Sequence, residues 1–356
     1  MRILHLPTSV GGNAVGLSRA ETELGLTSDI LIADGNYFNF NNCKKPILLP
    51  SGNAPIYKKF LKRFDAFLKI RKKYDVFHFN FGSSLLNFPD YHIYFWDLPF
   101  YSRKAKKIFT YNGCDARQKF PTMHRTGFSA CHENNCYNGI CNSGKMDKIR
   151  QKNIIKASKY ADHIFALNPD LMHFLPAKKT SFLPYTIAGW NEISPVSFVI
   201  DKKIKIVHAP TNRIAKGSDY ILRALNNLKK KYPIELNIVE GVPNSQALKL
   251  YRESHIIIDQ VLIGWYGGFA VEAMKMGKPV AVFIREEDLR FIPSQMVADI
   301  KDAVININPF NIEEVLGKYL EDTSLLKKKA EASMEYVNKW HDPLSVAGVV
   351  KKIYES

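Results

Sequence analysis

Short apolar runs alternate with stretches of helical period along nearly the whole chain. Residues 2 to 6, Arg-Ile-Leu-His-Leu, predict a buried strand. A loop holding Gly11, Gly12 and Asn13 follows, then a helical pattern from about Ala14 to Leu24 that stops at Gly25. Further strands are predicted at Asp29 to Ile32, Ile47 to Leu49, Val76 to Phe79, Ile93 to Phe95 and Lys107 to Tyr111. Helical patterns separate several of these, which favours a parallel sheet. One of them, Pro55 to Lys73, repeats Ile56, Tyr57, Phe60, Leu61, Phe64, Phe67 and Leu68 at helical spacing and carries Lys58, Lys59, Lys62, Arg63, Lys69, Arg71, Lys72 and Lys73 on its other side. A helix from Asp147 to Tyr160, a strand from His163 to Leu167 and a last short run at Phe182-Leu183-Pro184 complete this half.

Thr186 to Lys203 has no periodicity and reads as a linker. Beyond it the alternation resumes. Strands are predicted at Lys205 to His208, Ile234 to Val239, Ile256 to Ile258 and Ala303 to Ile307. Helices are predicted at Asp219 to Lys231, Ser245 to Arg252, Phe269 to Met276, Glu313 to Leu320, Ser324 to Trp340 and Leu344 to Tyr354. The expected division is residues 1–186, residues 187–340 and a closing helix 341–356, with both main parts of strand-helix-strand type. At 356 residues, 46% of them hydrophobic, the chain is long enough for two such domains with separate cores.

The stretch Asp259 to Val282 is the richest in chemistry. After its apolar run come Tyr266, Gly267 and Gly268, then a helix stopped by Gly277. Glycines let a ligand approach the backbone, and a helix N-terminus directs unpaired N–H groups and a positive dipole end at whatever lies above, which suits phosphate. Glu272, one turn inside, is placed to accept hydrogen bonds from sugar hydroxyls. A second cationic element, Arg213 and Lys216 followed by Gly217, precedes a predicted helix after the strand ending at His208. The plain alternatives are a packing turn with a capping carboxylate and a solvated pair of cations.

The segment Gly267 to Val280, GGFAVEAMKMGKPV, resembles the donor-site signature of family 4 type GT-B glycosyltransferases: Glu, seven residues, Glu, then Ala-Met-Ala-x-Gly-x-Pro-Val. Glu272 matches the second Glu, whereas the first falls on Gly264. Arg213, Lys216 and Gly217 resemble the family's Arg-x-x-x-Lys-Gly diphosphate site with one residue fewer between the cations. The resemblance implies a GT-B fold, two Rossmann-like domains with parallel sheets facing across a cleft, and a last helix returning to the first domain. It also implies a nucleotide diphosphate-sugar donor, a glycan acceptor, retention at the anomeric carbon and no catalytic metal. Gly12 and Asn13 in the first loop, and Tyr266 to Gly268 in the later one, are then candidate donor contacts. Asp115 and Arg117, after the strand ending at Tyr111, line the place where sugar and acceptor meet. For Asp115 an Asx-turn closing the strand is the competing reading.

Net charge and cysteines add to this picture. A formal charge of +16 implies an anionic partner: nucleotide, nucleic acid or a membrane surface. No RNP, KH or helix-turn-helix pattern is present, which leaves nucleic acid without a motif. The basic helix Pro55 to Lys73 is either a solvated face or a surface for anionic lipid, and the latter goes with a lipid-linked acceptor. No apolar run is long enough to span a bilayer or act as a secretory signal, so a cytoplasmic chain, peripheral on the inner face of the membrane, is expected. Four of the five cysteines, Cys114, Cys131, Cys136 and Cys141, fall within one insertion at 114–141 of the first domain. Such clustering in a reducing compartment points to thiolates on a structural Zn2+, with unliganded thiols, an iron–sulfur cluster or a disulfide as alternatives. Three other functions compete: a nucleotide-sugar epimerase of the same fold, a catalytically silent GT-B subunit, and a basic zinc-loop nucleic-acid binder.

Overall fold

The structure is a computed structural model that describes residues 1–33, 46–52, 54–200 and 203–356; positions 201 and 202 of the expected linker lie outside the described residues. In chain order the strands are β1 (Arg2–Leu6), β2 (Thr27–Ile32), β3 (Ile47–Leu48), β4 (Val76–Asn80), β5 (Lys106–Tyr111), β6 (His163–Ala166), β7 (Thr180–Phe182), β8 (Ile204–His208), β9 (Ile234–Ile238), β10 (Ile256–Ile258), β11 (Val280–Val282) and β12 (Val304–Asn306). The helices are α1 (Asn13–Glu23), α2 (Ile56–Ile70), α3 (Lys119–Arg125), α4 (Lys145–Tyr160), α5 (Arg213–Lys216), α6 (Ser218–Leu228), α7 (Asn244–Glu253), α8 (Gly268–Lys275), α9 (Ser294–Ala303), α10 (Ile312–Glu321), α11 (Ser324–Trp340) and α12 (Pro343–Glu355). They form two units, one of Met1–Gln118, Asp147–Gly189 and Pro343–Ser356, the other of Lys119–Met146 and Trp190–Asp342.

The first unit is built on a seven-stranded sheet in the order β3-β2-β1-β4-β5-β6-β7, every pair parallel. Helices cover both faces, so its central strands are apolar with little alternation, and β4 is buried at every position. One core packs Leu4, Leu6, Phe77, Phe79 and Phe109 with Phe67 of α2; the other packs Ile3, Val76, Ile108 and Phe165 with α1 and α12. On that second side a buried polar network ties α12 to the sheet. The Tyr354 hydroxyl donates to Glu21 Oε1 at 2.8 Å, and Glu21 Oε2 accepts from His5 Nε2 at 2.8 Å and from the Ser28 hydroxyl at 2.6 Å. His78 is bracketed by the Tyr354 hydroxyl and Thr110 Oγ1, and burial pushes its pKa well below the usual histidine range, so it stays neutral.

Two local outcomes depart from the periodicity. The expected strand Ile93 to Phe95 is a single antiparallel bridge between Phe88 and Ile93. Side chains capture the backbone there instead: Asn87 Oδ1 accepts from the Phe95 N–H at 2.7 Å, while Asp97 takes the N–H groups of Leu85 and Leu86 at 3.0 and 3.3 Å. His92 and Phe95 adopt positive φ, which ends any ladder. In α1, Gly16 lies so close to the chain at Ile187 that a Cβ would stand 2.6 Å from the Ile187 carbonyl oxygen. Gly16→Ala is therefore expected to destabilise the protein by about 1–3 kcal/mol despite the better helix propensity of Ala, read as a lowered denaturation midpoint. An unchanged midpoint would mean that the Ile187 backbone yields freely.

The second unit has a five-stranded parallel sheet, β12-β11-β10-β8-β9. Its core joins Ile206, Ile256, Ile258, Ala281 and Ile305 to Ile221 and Leu225 of α6 and Leu316 of α10. The cysteine-bearing segment, which contiguity in sequence assigned to the first domain, packs on this second unit from Lys119 to Met146. Specific bonds hold it there. Arg125 Nη1 donates to Asp288 Oδ1 at 2.7 Å, the Ala130 N–H to the Leu262 carbonyl at 3.1 Å, and the Tyr220 hydroxyl to Glu133 Oε1 at 3.2 Å. Phe128 sits against Phe283 and Phe310, with Arg285 over its ring. Among the described residues no helix is long and apolar enough to cross a membrane.

Candidate functional site

The strand ends of the second sheet gather most of the expected site residues. At the end of β8, His208 is fully buried between two anchors: its Nδ1 donates to the Ile258 carbonyl at 2.9 Å and its Nε2 accepts from the Ser218 hydroxyl at 2.8 Å. Burial, above all, lowers its pKa, so it serves as a neutral clamp between β10 and the start of α6. Asn212 then caps α5 by accepting from the Ala215 N–H at 2.8 Å. Gly217 ends that turn at φ 72°, where a Cβ would lie 2.5 Å from Val261 Cγ2, so only glycine fits.

This tight turn aims Lys216 across to β10. Its Nζ is paired with Asp259 Oδ1, and the other oxygen, Asp259 Oδ2, accepts from the Gly267 N–H at 2.9 Å. Asp259 is fully buried. One carboxylate thus bridges the α5 turn and the residue that caps α8. The loop between is fixed by Gln260, whose Nε2 donates to the carbonyls of Trp265 and Phe283 at 3.1 and 2.9 Å while its Oε1 accepts from the Ile263 N–H at 2.6 Å. Gly264 in this loop has φ 93° and stands where a Cβ would be 3.1 Å from Arg285 Cβ and Nε. Any side chain at that position would be strained by the backbone conformation and crowded by Arg285.

Glu272 lies one turn into α8 and is buried, with Asn244 Nδ2 donating to its Oε1 at 3.1 Å. Desolvation lifts its carboxyl to about 7, outweighing the Asn244 bond that lowers it. Arg213 is exposed and forms a fork with Glu240, Nε to Oε1 at 2.8 Å and Nη2 to Oε2 at 2.6 Å, which raises the arginine's pKa and lowers the glutamate's. A Cβ on Gly267 would meet nothing within 4 Å, and Gly267 and Gly268, at the start of α8, are both half-buried.

Arg213, Lys216, Gly217, Gly267, Gly268 and Glu272 therefore share one unit and the same end of one sheet. Tyr266 does not present itself to a ligand: it is 0% exposed and its hydroxyl is bonded to the Tyr336 hydroxyl at 2.6 Å and His341 Nε2 at 2.7 Å. The remaining candidates belong to the first unit. Gly12 has φ 74°, and the Asn13 side-chain oxygen accepts from the Thr186 N–H at 2.9 Å, so it fastens α1 to residue 186. Asp115 closes its own turn, Oδ1 accepting from the Gly113 N–H at 2.6 Å and Oδ2 from the Asn112 N–H at 3.0 Å; burial lifts its carboxyl to about 6. Arg117 is held by Asp170 at 2.6 and 2.9 Å.

Asp259, Asn244 and Glu240 were not singled out from sequence, although an aspartate directly after an all-isoleucine strand is a signal for a strand-end carboxylate. The four cysteines are divided between the units. Cys114 is exposed in the first, whereas Cys131, Cys136 and Cys141 are half-buried in the turns that follow α3 in the second. The turns Ala130–His132 and Cys136–Gly139 pack directly against α5.

No protein-family model matches this sequence, and no curated protein does. Solved structures do resemble it. Sucrose-phosphate synthase from Thermosynechococcus elongatus superposes with a TM-score of 0.62 at 12% identity, over 100% of this chain and 98% of that one. The catalytic domain of starch synthase IV from Arabidopsis thaliana, bound to ADP and acarbose, gives 0.60 at 11% identity over 100% and 99%. UDP-GlcNAc 2-epimerase from Neisseria meningitidis, bound to UDP-GlcNAc, gives 0.53 at 14% identity over 99% of each chain. At these identities the likeness establishes the fold, which is α/β with two parallel sheets and has GT-B glycosyltransferases among its neighbours.

Proposed function

We propose that this chain is a glycosyltransferase that moves a sugar from a nucleotide diphosphate-sugar to a hydroxyl of a lipid-linked glycan acceptor, with retention of configuration. The observation that carries the reading is the Lys216–Asp259–Gly267 bridge, which sets a cation and the N-terminus of α8 side by side at the strand ends, one turn from a buried carboxylate. A nucleotide diphosphate needs those parts. Lys216 and the α8 N-terminus take the diphosphate, whose charge grows as the glycosidic bond breaks, and Glu272 accepts from ribose hydroxyls. Arg213 adds a second cation by sharing its guanidinium between Glu240 and phosphate. Asp115 and Arg117 of the first unit are already engaged by their own turn and by Asp170, and have no role in this reading. A thermal-shift panel of nucleotide diphosphates and nucleotide sugars names the base, and product analysis gives the anomeric outcome. Conversion of a nucleotide sugar with no acceptor would instead identify an epimerase, and binding without turnover a silent subunit.

The expected four-cysteine Zn2+ site does not survive as a set, because Cys114 belongs to the other unit. What remains in the proposal is that Cys131, Cys136 and Cys141 would supply thiolates to a structural Zn2+, since a long segment rich in Gly and Asn gains order from a metal. Its adjacency to α5 leads to a distinct expectation: chelation loosens the segment and weakens nucleotide affinity with it, rather than leaving the site untouched. Elemental analysis of protein purified under reducing conditions is the check, and a metal-free result ends the idea.

A further inference from the structure

The helix α2 divides its apolar residues between two directions. Phe67 and Ile70 are buried and Phe60 packs against the core, whereas Tyr57, Leu61, Phe64 and Leu68 are exposed, at 67%, 60%, 40% and 49%. These four recur at i, i+4, i+7 and i+11, which is a single line along the helix surface. Beside the line a groove of about 350 Å3 is lined by Ile56, Tyr57, Phe60, Leu61, Phe88, Tyr91 and Ile93, all apolar or aromatic. Lys58 and Lys62 are exposed on the adjoining side, as is Lys69, which is paired with the exposed Asp65 at 2.7 Å, and Lys72 and Lys73 follow beyond the helix end. Arg63, expected among these cations, is instead buried, donating to the carbonyls of Asn87 and Ala33 at 3.1 Å each, and so belongs to the packing.

An apolar line, flanked by lysines on one side and anchored to the core on the other, is the layout of a helix lying in a bilayer interface. A stripe of lysines alone would hold a charged surface at a distance, and an apolar line alone would suit a second protein. The two together match a surface that is anionic outside and hydrocarbon inside. We propose that α2 inserts the Tyr57-Leu61-Phe64-Leu68 line into an anionic leaflet, with its lysines at the headgroups and the groove at Tyr91 taking a hydrocarbon chain of the lipid. This rests on the proposed membrane-presented acceptor for its purpose, but vesicles that contain no glycan test it separately from any transfer reaction.

The test uses the full chain with vesicles of equal parts phosphatidylglycerol and phosphatidylcholine. Tyr57→Ser with Leu61→Ser is expected to lower the partition coefficient at least tenfold, since each side chain leaves the hydrocarbon. Lys58→Gln with Lys62→Gln should lower it about fivefold per lysine, and the same loss at Lys229 and Lys230, exposed in the second unit, should leave it unchanged. In Tyr57→Trp, the emission of the added indole, read as the difference from the wild type, is expected to shift to the blue on adding vesicles and to be quenched by brominated acyl chains. Both polar replacements lie at exposed positions, so a native far-ultraviolet spectrum is the expected control. Unchanged partition of the Tyr57/Leu61 pair, or equal losses from the Lys229/Lys230 pair, overturns the proposal. So does a blue-shifted emission of the added indole, taken as the difference from the wild type with its four native tryptophans, when no vesicles are present, and a chain that dimerises until Leu61→Ser is made, because either shows another occupant on this face.

Discussion

Lys216→Met is expected to lower turnover by about a hundred- to a thousandfold, because it removes a cation from the place where the leaving diphosphate gathers charge. The same change costs stability on the order of 3–5 kcal/mol, since Asp259 is buried and, among the described residues, keeps the Gly267 N–H alone as side-chain partner. The two effects are separable. Asp259→Asn in the Lys216→Met background removes the stranded charge and should restore most of the melting temperature while leaving turnover low. If the double variant recovers both, Lys216 is structural and the leaving-group role is gone. If Lys216→Met transfers sugar at the wild-type rate, the donor-site reading of α5 falls with it.

Glu272→Gln is expected to make the free protein more stable above neutral pH and to bind nucleotide less well. The sign follows from the raised pKa. With a folded pKa of about 7 against an ordinary 4.5, the folded protein holds a proton between those values that the unfolded chain has released. Stability is therefore greatest below about pH 4.5 as far as this group is concerned, and falls as pH rises to about 7, by about 3 kcal/mol in all. Gln stays neutral throughout, so the variant loses this slope. Nucleotide affinity should drop by about 1.5–3 kcal/mol, roughly 10- to 150-fold, with the loss of a charged acceptor for ribose hydroxyls. In the wild type, affinity should climb as the carboxyl ionises near pH 7. Urea denaturation and nucleotide titration across pH measure both. A changed stability slope with unchanged affinity would make Glu272 a buried helix residue and nothing more.

The parallel sheets were legible because a strand covered on both faces is an apolar run, and β1, β4, β5, β8 and β10 all read that way. Ile93 to Phe95 has the same composition and is not a strand, since Asn87 and Asp97 bind the neighbouring backbone N–H groups first. The glycine loop and Glu272 were visible from local spacing. The pairing of Lys216 with Asp259 spans 43 residues and has no local signature. Tyr266 adjoins the glycines and so read as a ligand contact, but the loop shape imposed by Gln260 turns it into the core. Nor does periodicity say on which unit a segment between β5 and α4 will pack. That choice was made by Phe128, Arg125 and Ala130 finding partners more than a hundred residues ahead.

Because the cysteine-bearing segment leaves the first unit at Gln118 and returns at Asp147, and α12 leaves the second at Asp342, the covalent chain passes between the units four times. No single cut separates them into whole pieces. A fragment ending at Gly189 keeps the cysteine turns without the α5 surface they cover, and lacks the Tyr354 hydroxyl that joins Glu21 to His78. Its complement keeps α12 with no sheet beneath it and exposes Leu262 and Phe283. Limited proteolysis at the junction should thus yield two nicked pieces that stay associated until denatured, and recombination of unrelated halves at that point should fail unless residues 119–146 and 343–356 travel with the unit each one packs on.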